Sequence, residues 1–246
     1  KSREYSPEWE RLFSRAVLRN IPVSEIGHLR EMIGGRVQLR SQPQGVFGDL
    51  LPSQPYLRVK RIIDTLVAVP ALLAAMPLLA VLCVMIRTDS PGPAIFRQER
   101  IGYQGRKFTC YKLRTMRIGI DGPAFTTETD PRITRLGRFL RKWRLDELPQ
   151  IVNIIKGEMS WIGPRPEAVS LARAYERTIP FFNYRYAVRP GVSGWAAVHQ
   201  GNVALEEAVI VKLEYDFYYL KYFSIWMDFL ITLITVKPII TGFGHR

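Results

Sequence analysis

The chain has 246 residues, 35 Lys plus Arg against 22 Asp plus Glu, a net charge of +13 and 47% hydrophobic residues. That apolar content excludes a disordered basic tail, and the excess charge suits a phosphate-rich partner: nucleic acid, an anionic membrane surface or a phosphorylated substrate. Cys83 and Cys110 make no disulfide framework, and the dispersed His28, His199 and His245 make neither a zinc set nor a Ser/His/Asp set.

The chain opens on Lys1 without a signal peptide and reads as part of something longer. Trp9, Leu12, Phe13, Ala16, Val17 and Leu18 predict an amphipathic helix. NIPVSEI suits a short strand and turn. SEIGHLREMIGG predicts a helix capped by Ser24 and stopped at Gly34–Gly35. A Pro/Gly/Ser-rich linker, RSQPQGVFGDLLPSQP, completes residues 1–55. This segment has no GxGxxG and no P-loop, so it carries no nucleotide site of its own.

From Thr65 to Ile86 there are 22 residues without a charge. As a straight helix they extend about 33 Å, enough for a bilayer core of about 30 Å. Pro70 and Pro77 fall inside the run, and a bend at Pro77 leaves two limbs each too short to cross. Arg58, Lys60 and Arg61 precede the run; Arg87, Arg97 and Arg100 follow it. Basic flanks on both sides suit a helix that enters and returns. A kinked spanning helix and a buried core helix remain open on the sequence alone.

Turn signals at Ser90–Pro93 precede alternation that predicts a hairpin around Gly102–Gly105. TDPRITRLGRFLRKW predicts a helix. Leu136, Phe139, Leu140 and Trp143 form its apolar stripe; Arg135, Arg138, Arg141 and Lys142 form its basic one. Near the end, LEYDFYYLKYFSIWMDFLITLITVKP predicts an aromatic-rich helix, suited either to a membrane interface or to a packed core.

Asp146 and Glu147 stand side by side in RLDELPQIVNIIKG. One reading is purely structural: Asp146 caps a helix that runs to Gly157, with Glu147 favouring its dipole. The other is chemical. Neighbouring Arg and Lys hold phosphate oxygens and depress the carboxylate pKa. One carboxylate binds Mg2+ while the other attacks phosphorus.

Taken together, KRIIDTLVAV, DSPGPAIFRQERIGYQGRKFTCYKLRTM, TRLGRFLRKWRLDELPQIVNIIKGEMSWIGPRP, VRPGVSGWAAV and DFYYLKYFSIWMD resemble the monotopic phosphoglycosyl transferases, bacterial sugar transferases, across roughly residues 56–240. The resemblance implies an α+β, mainly helical fold: a small cytoplasmic catalytic domain, a Pro-bent re-entrant membrane helix over about residues 62–86, and interfacial amphipathic helices. It implies transfer of a sugar-1-phosphate from a UDP-sugar to undecaprenyl phosphate, with UMP released and an aspartyl-phosphosugar intermediate. This is the first membrane step of exopolysaccharide, O-antigen or capsule assembly, at the cytoplasmic face of the bacterial inner membrane. Asp146 matches the nucleophile and Glu147 the Mg2+ ligand. Arg141 and Arg165 match arginines at the phosphates or nucleotide, and Lys112, Arg189 and Asp216 match further site positions. Pro77 matches the membrane bend, shared with Pro70.

The sequence departs from the family pattern at Met76, where a Ser precedes the bending Pro, at Arg144, and in AAVHQGN, which bears on sugar choice. Residues 1–55 resemble the tail of a Rossmann-like domain found upstream in longer members. Anionic lipid is an implied partner, nucleic acid is not, and a homo-oligomer is compatible with the pattern. The competing reading is a catalytically idle membrane anchor for glycan-assembly proteins.

Overall fold

A computed structural model describes residues 6–21, 26–39, 52–119, 130–200 and 206–241. The expected cap Ser24, most of the NIPVSEI turn and most of the 40–55 linker lie outside them. Helix α1, Pro7–Leu18, buries none of its residues. Helix α2, Ile26–Gly34, ends as expected at Gly35, which takes a positive φ of 59°. The segment after α2 is bound to the rest of the protein. Glu31 pairs with Lys221 at 2.6 Å, the Gly35 carbonyl accepts from Trp195 Nε1 at 2.6 Å, and Val37 is 1% exposed.

Helix α3, Gln54–Asp89, carries both Pro70 and Pro77 inside one unbroken element. The helical backbone continues through both prolines. Each proline removes one amide and frees one carbonyl four residues back, at Leu66 and Leu73. Both residues lie on the exposed face, so the inner face keeps its packing.

Three sets of contacts hold that inner face. Near the start, Lys60 and Tyr56 bond Asp228 at 2.5 and 2.6 Å. In the middle, Ala68, Ala71, Leu72 and Ala75 pack on Phe108, Ile151, Ile154 and Met159. Towards the end, Leu79, Leu82, Cys83 and Ile86 pack on Ala94, Leu113 and Leu140. Arg114 fixes this end by donating to the Ile86 and Ser90 carbonyls. Among the described residues α3 is the one helix long and apolar enough to cross a membrane.

Strands β1, Ile95–Ile101, and β2, Lys107–Leu113, form the expected antiparallel hairpin, in register from Ile95↔Leu113 to Ile101↔Lys107. Helix α4, Arg135–Lys142, is capped by Thr134, whose Oγ1 accepts from Gly137 N at 2.9 Å. Its apolar stripe splits. Leu136 and Leu140 pack inwards, while Phe139 and Trp143 face out. Gly137 explains the rotation: a Cβ there would stand 2.1 Å from the Thr115 carbonyl oxygen, so this backbone face lies against β2's extension.

Helix α5, Gln150–Lys156, leads into β3, Ser160–Ile162, which pairs in parallel with β4, Gly191–Ser193. Helix α6, Val169–Thr178, and a 3-10 turn, Phe182–Ala187, make the crossover between them. Gly163, Gly191 and Gly194 allow backbone to meet backbone here; a Cβ on Gly191 would sit 2.1 Å from Gly163 N. After the short α7, Trp195–Gln200, the aromatic-rich tail forms two helices rather than one: α8, Glu206–Lys221, and α9, Ile225–Thr241. Ser224 starts α9 by accepting from Met227 N. Leu213, Phe217, Tyr219 and Leu220 put α8 in the main core, whereas α9 exposes Trp226, Phe229 and Leu233.

Candidate active site

Three separate elements converge on the carboxylate pair. Lys112 comes from β2 and Arg165 from the Gly163–Glu167 loop after β3. Arg141 comes from the last turn of α4, its Nε bonded to Thr115 Oγ1 at 2.9 Å. Arg144 then takes a left-handed φ of 53° and reverses the chain. That conformation costs a non-glycine residue about 1 kcal/mol and is held here by the elements on either side. Leu145–Glu147 follow as a 3-10 turn.

This geometry corrects the capping expectation. Helix α5 begins only at Gln150, after Pro149, and Asp146 caps nothing. Among the described residues no hydrogen bond or ion pair engages Asp146. Glu147 is the opposite. It is 7% exposed, and its Oε1 accepts from Lys112 Nζ at 2.9 Å and Arg165 Nη2 at 2.8 Å. Arg144 Nη1 lies 3.7 Å from Oε2.

The pair is therefore split electrostatically. Burial works against the Glu147 charge, but Arg165 and Lys112 outweigh it and hold its pKa well below the carboxylate range. Asp146 moves the other way. Burial and the adjacent Glu147 charge raise its pKa, against the opposing pull of Lys112, Arg165 and Arg141. The expected depression by neighbouring cations thus holds for Glu147 and fails for Asp146, because Glu147 intercepts those cations first. Arg165 is itself raised, chiefly by Glu147, and burial lowers Lys112.

Two expected site residues stand elsewhere. Arg189 donates to the Gly157 carbonyl at 2.9 Å and lies over the Tyr103 ring, at the far end of α5, about 10 Å along the helix. Asp216 is 2% exposed and paired with Arg185 at 2.8 Å rather than with either carboxylate of the pair. Sequence reasoning passed over Arg100, whose charge bears on Lys112, and Thr115, which holds Arg141. It also passed over Arg185, Glu167 and Lys212. The run of charge in GPRPE was the one local signal for Glu167.

Glu147 Oε2 is buried without a hydrogen-bond partner, an acceptor that suits a hard cation. No cluster of three His, Cys, Asp or Glu among the described residues could hold a metal by itself. That donor set fits Mg2+, which needs one or two protein carboxylates and takes its other ligands from water and substrate phosphate.

The shared Oε1 makes Arg165 and Glu147 energetically dependent on each other. In a double-mutant cycle with Arg165→Gln and Glu147→Gln, unfolding in lipid nanodiscs should give a coupling of about 2 kcal/mol. Additive single changes would mean that the contact contributes nothing.

Residues 55–242 match the family model described as "Bacterial sugar transferase". The UDP-N-acetylgalactosamine-undecaprenyl-phosphate N-acetylgalactosaminephosphotransferase of Aeromonas hydrophila is 45% identical over 241 residues, covering 97% of this chain and 57% of that protein. The UDP-glucose:undecaprenyl-phosphate glucose-1-phosphate transferase of Caulobacter vibrioides is 41% identical, covering 78% of this chain and 75% of its own length. The protein of that same name in Escherichia coli is 37% identical, and the match covers 72% of this chain but 39% of the relative. This chain thus spans little more than half of the Aeromonas protein and less of the E. coli one. By the extent of the family match, the chain belongs to the bacterial sugar transferases.

Proposed function

We propose that the chain transfers a sugar-1-phosphate from a UDP-sugar to undecaprenyl phosphate and releases UMP. The observation that carries this reading is the unequal treatment of the two carboxylates: Glu147 is clamped by Lys112 and Arg165, while Asp146 is held beside them with no hydrogen bond or ion pair among the described residues. The relatives' names supply the substrate classes.

In this reading an Asp146 carboxylate oxygen attacks the sugar-linked phosphorus. The bond from that phosphorus to the UMP oxygen breaks, and UMP leaves with the electron pair. A phosphate oxygen of undecaprenyl phosphate then attacks the aspartyl phosphorus and returns Asp146 as a carboxylate. The product is an undecaprenyl-diphospho-sugar, the first lipid-linked unit of a surface glycan. Lys112, Arg165 and Arg141 bear the phosphate charge that would otherwise repel the nucleophile. Glu147, with Asp146 beside it, would hold Mg2+, which when bound neutralises phosphate oxygens. Because burial and Glu147 raise its pKa, Asp146 is a more basic nucleophile than an exposed aspartate.

The packing of α3 supports a membrane-bound enzyme with its body on one side. A perpendicular crossing would drag the body packed along α3, with the Lys60–Asp228 pair, Arg61 and Arg114, into hydrocarbon. A helix embedded by its outer face leaves them in water. In this reading both helix ends and the catalytic domain share one side of the membrane, proposed to be the cytoplasmic face of the inner membrane.

The deciding experiment supplies Mg2+, undecaprenyl phosphate and a panel of UDP-sugars, UDP-glucose and UDP-N-acetylgalactosamine included, to the protein in lipid. Wild type should release UMP and Asp146→Asn none, with its fold intact. Release of UDP would overturn phosphosugar transfer. An Asp146→Asn protein that keeps its cellular role would favour the anchor.

The pH profile carries a second expectation. Asp146 must be ionised to attack, so its raised pKa in the free enzyme moves the acid limb of kcat/KM upward from that of an exposed aspartate. Glu147→Gln removes the like charge and frees two cations, so the limb should move down even as the maximal rate falls. An unmoved limb would mean that Asp146 does not set it. For topology, single cysteines at Arg58 and Thr88, in a chain with Cys83 and Cys110 replaced by Ala, should both label from the cytoplasmic side. Labelling from opposite sides would establish a crossing.

A further inference from the structure

The Gly163–Glu167 loop, which presents Arg165, contains Pro164 and Pro166 and so lacks two backbone donors. Its carbonyls need donors from elsewhere, and each of the four from Pro164 to Glu167 has one. The Pro164 carbonyl accepts from Gly191 N at 3.0 Å, and the Glu167 carbonyl from Ile101 N at 3.1 Å. The Pro166 carbonyl accepts from the Arg100 guanidinium. The carbonyl of Arg165 itself accepts from Arg185 Nη2 at 2.8 Å.

Arg185 is well placed to be rigid. It is 3% exposed, and its guanidinium lies 5.0 Å from the Phe182 ring centroid. The guanidinium meets Asp216 at 2.8 Å and Glu167 at 3.4 Å. Lys212, four residues before Asp216 on α8, pairs with Glu167. The quartet has two cations and two anions, and so is neutral. Burial opposes the Glu167 charge, but Lys212 and Arg185 outweigh it and hold its pKa at about 2. Such a group is costly to bury and easily replaced by apolar packing if stability were its only role. One of its hydrogen bonds runs to the backbone of the residue whose side chain clamps Glu147.

We propose that Arg185, braced by Asp216, Glu167 and Lys212, is a positioning residue that sets where Arg165 stands and hence how tightly Glu147 is held. A planar fork is required, because one guanidinium must satisfy a carbonyl and two carboxylates at once; a Lys offers a point charge in place of that geometry. Asp216 thereby acts at the site through the backbone, without touching substrate.

The catalytic part of this inference rests on the proposed function; the positioning part does not. The test uses Arg185→Lys, which keeps the buried charge balanced, with Asp216→Asn as the second variant should the first fail to fold. The Arg165–Glu147 coupling is measured by unfolding the full chain in nanodiscs, with and without each change. It should fall by more than half. Coupling that survives in full would overturn the proposal, whatever the enzyme does.

With UDP-sugar turnover as readout, Arg185→Lys should lower kcat roughly 10-fold or more with little change in KM. Combined with Arg165→Gln it should add no further loss. Penalties that multiply in the double variant would make Arg185 an independent structural residue and defeat the idea. A wild type that releases no nucleotide would count against the proposed function alone, and the coupling cycle would still decide the positioning role.

Discussion

A buried carboxylate shared by two cations organises this protein. Glu147 in isolation would cost several kcal/mol to bury ionised. Lys112 and Arg165 offset that cost only by arriving within 2.9 Å of the same oxygen. One cation comes from the hairpin, the other from the loop between β3 and α6, and the carboxylate from the turn between α4 and α5. Three chain segments must therefore be placed correctly before the charge is tolerable. The close backbone approaches follow from this. Gly137 brings α4 onto Thr115, and Gly163, Gly191 and Gly194 let the parallel pair close behind the Arg165 loop.

The same contact makes two adjacent, chemically similar side chains different. Because Glu147 absorbs the direct bonds of Lys112 and Arg165, those cations reach Asp146 only through space. Its own burial and its neighbour's charge then prevail. A carboxylate whose ionised form is weakly stabilised is the kind of group that gains most from bonding to phosphorus. The clamped Glu147 is the kind that keeps its charge through a reaction. Neither property belongs to the residue type; each follows from which oxygen the cations occupy.

What was legible in the sequence follows from the range of the forces. The hairpin about Gly102–Gly105 and the Gly157 stop are written in local alternation and turn chemistry, and the structure has both. The position of Asp146 beside cations was legible, but its electrostatic state was not. Capping is a local inference, and Arg144's left-handed turn, imposed by packing, moved the helix start past it. Arg185 gave no signal in NYRYAV, because its partners lie 18 and 31 residues away, at Glu167 and Asp216. The apolar stripe of α4 was legible as a stripe, yet which half faced inwards depended on a glycine contact with a distant carbonyl.

Helix α3 is the clearest case of a pattern that needs its surroundings to be read. The first half of its inner face carries charged and small residues, Lys60, Asp64, Ala68, Ala71 and Ala75, which let it lie close to the body, and the second half carries Leu79, Leu82 and Ile86. Its outer face carries Leu66, Leu73, Met76, Val81 and Val84, each more than half exposed. A water-soluble helix puts those the other way round. Each such side chain left in water forfeits on the order of 1 kcal/mol. Along the whole outer face that sum becomes comparable with the stability of an ordinary domain. The arrangement is favourable only if the medium against the outer face is itself apolar. On the membrane reading proposed above, a body attached near both ends and in the middle of α3 lets the helix enter the bilayer only sideways, by its outer face.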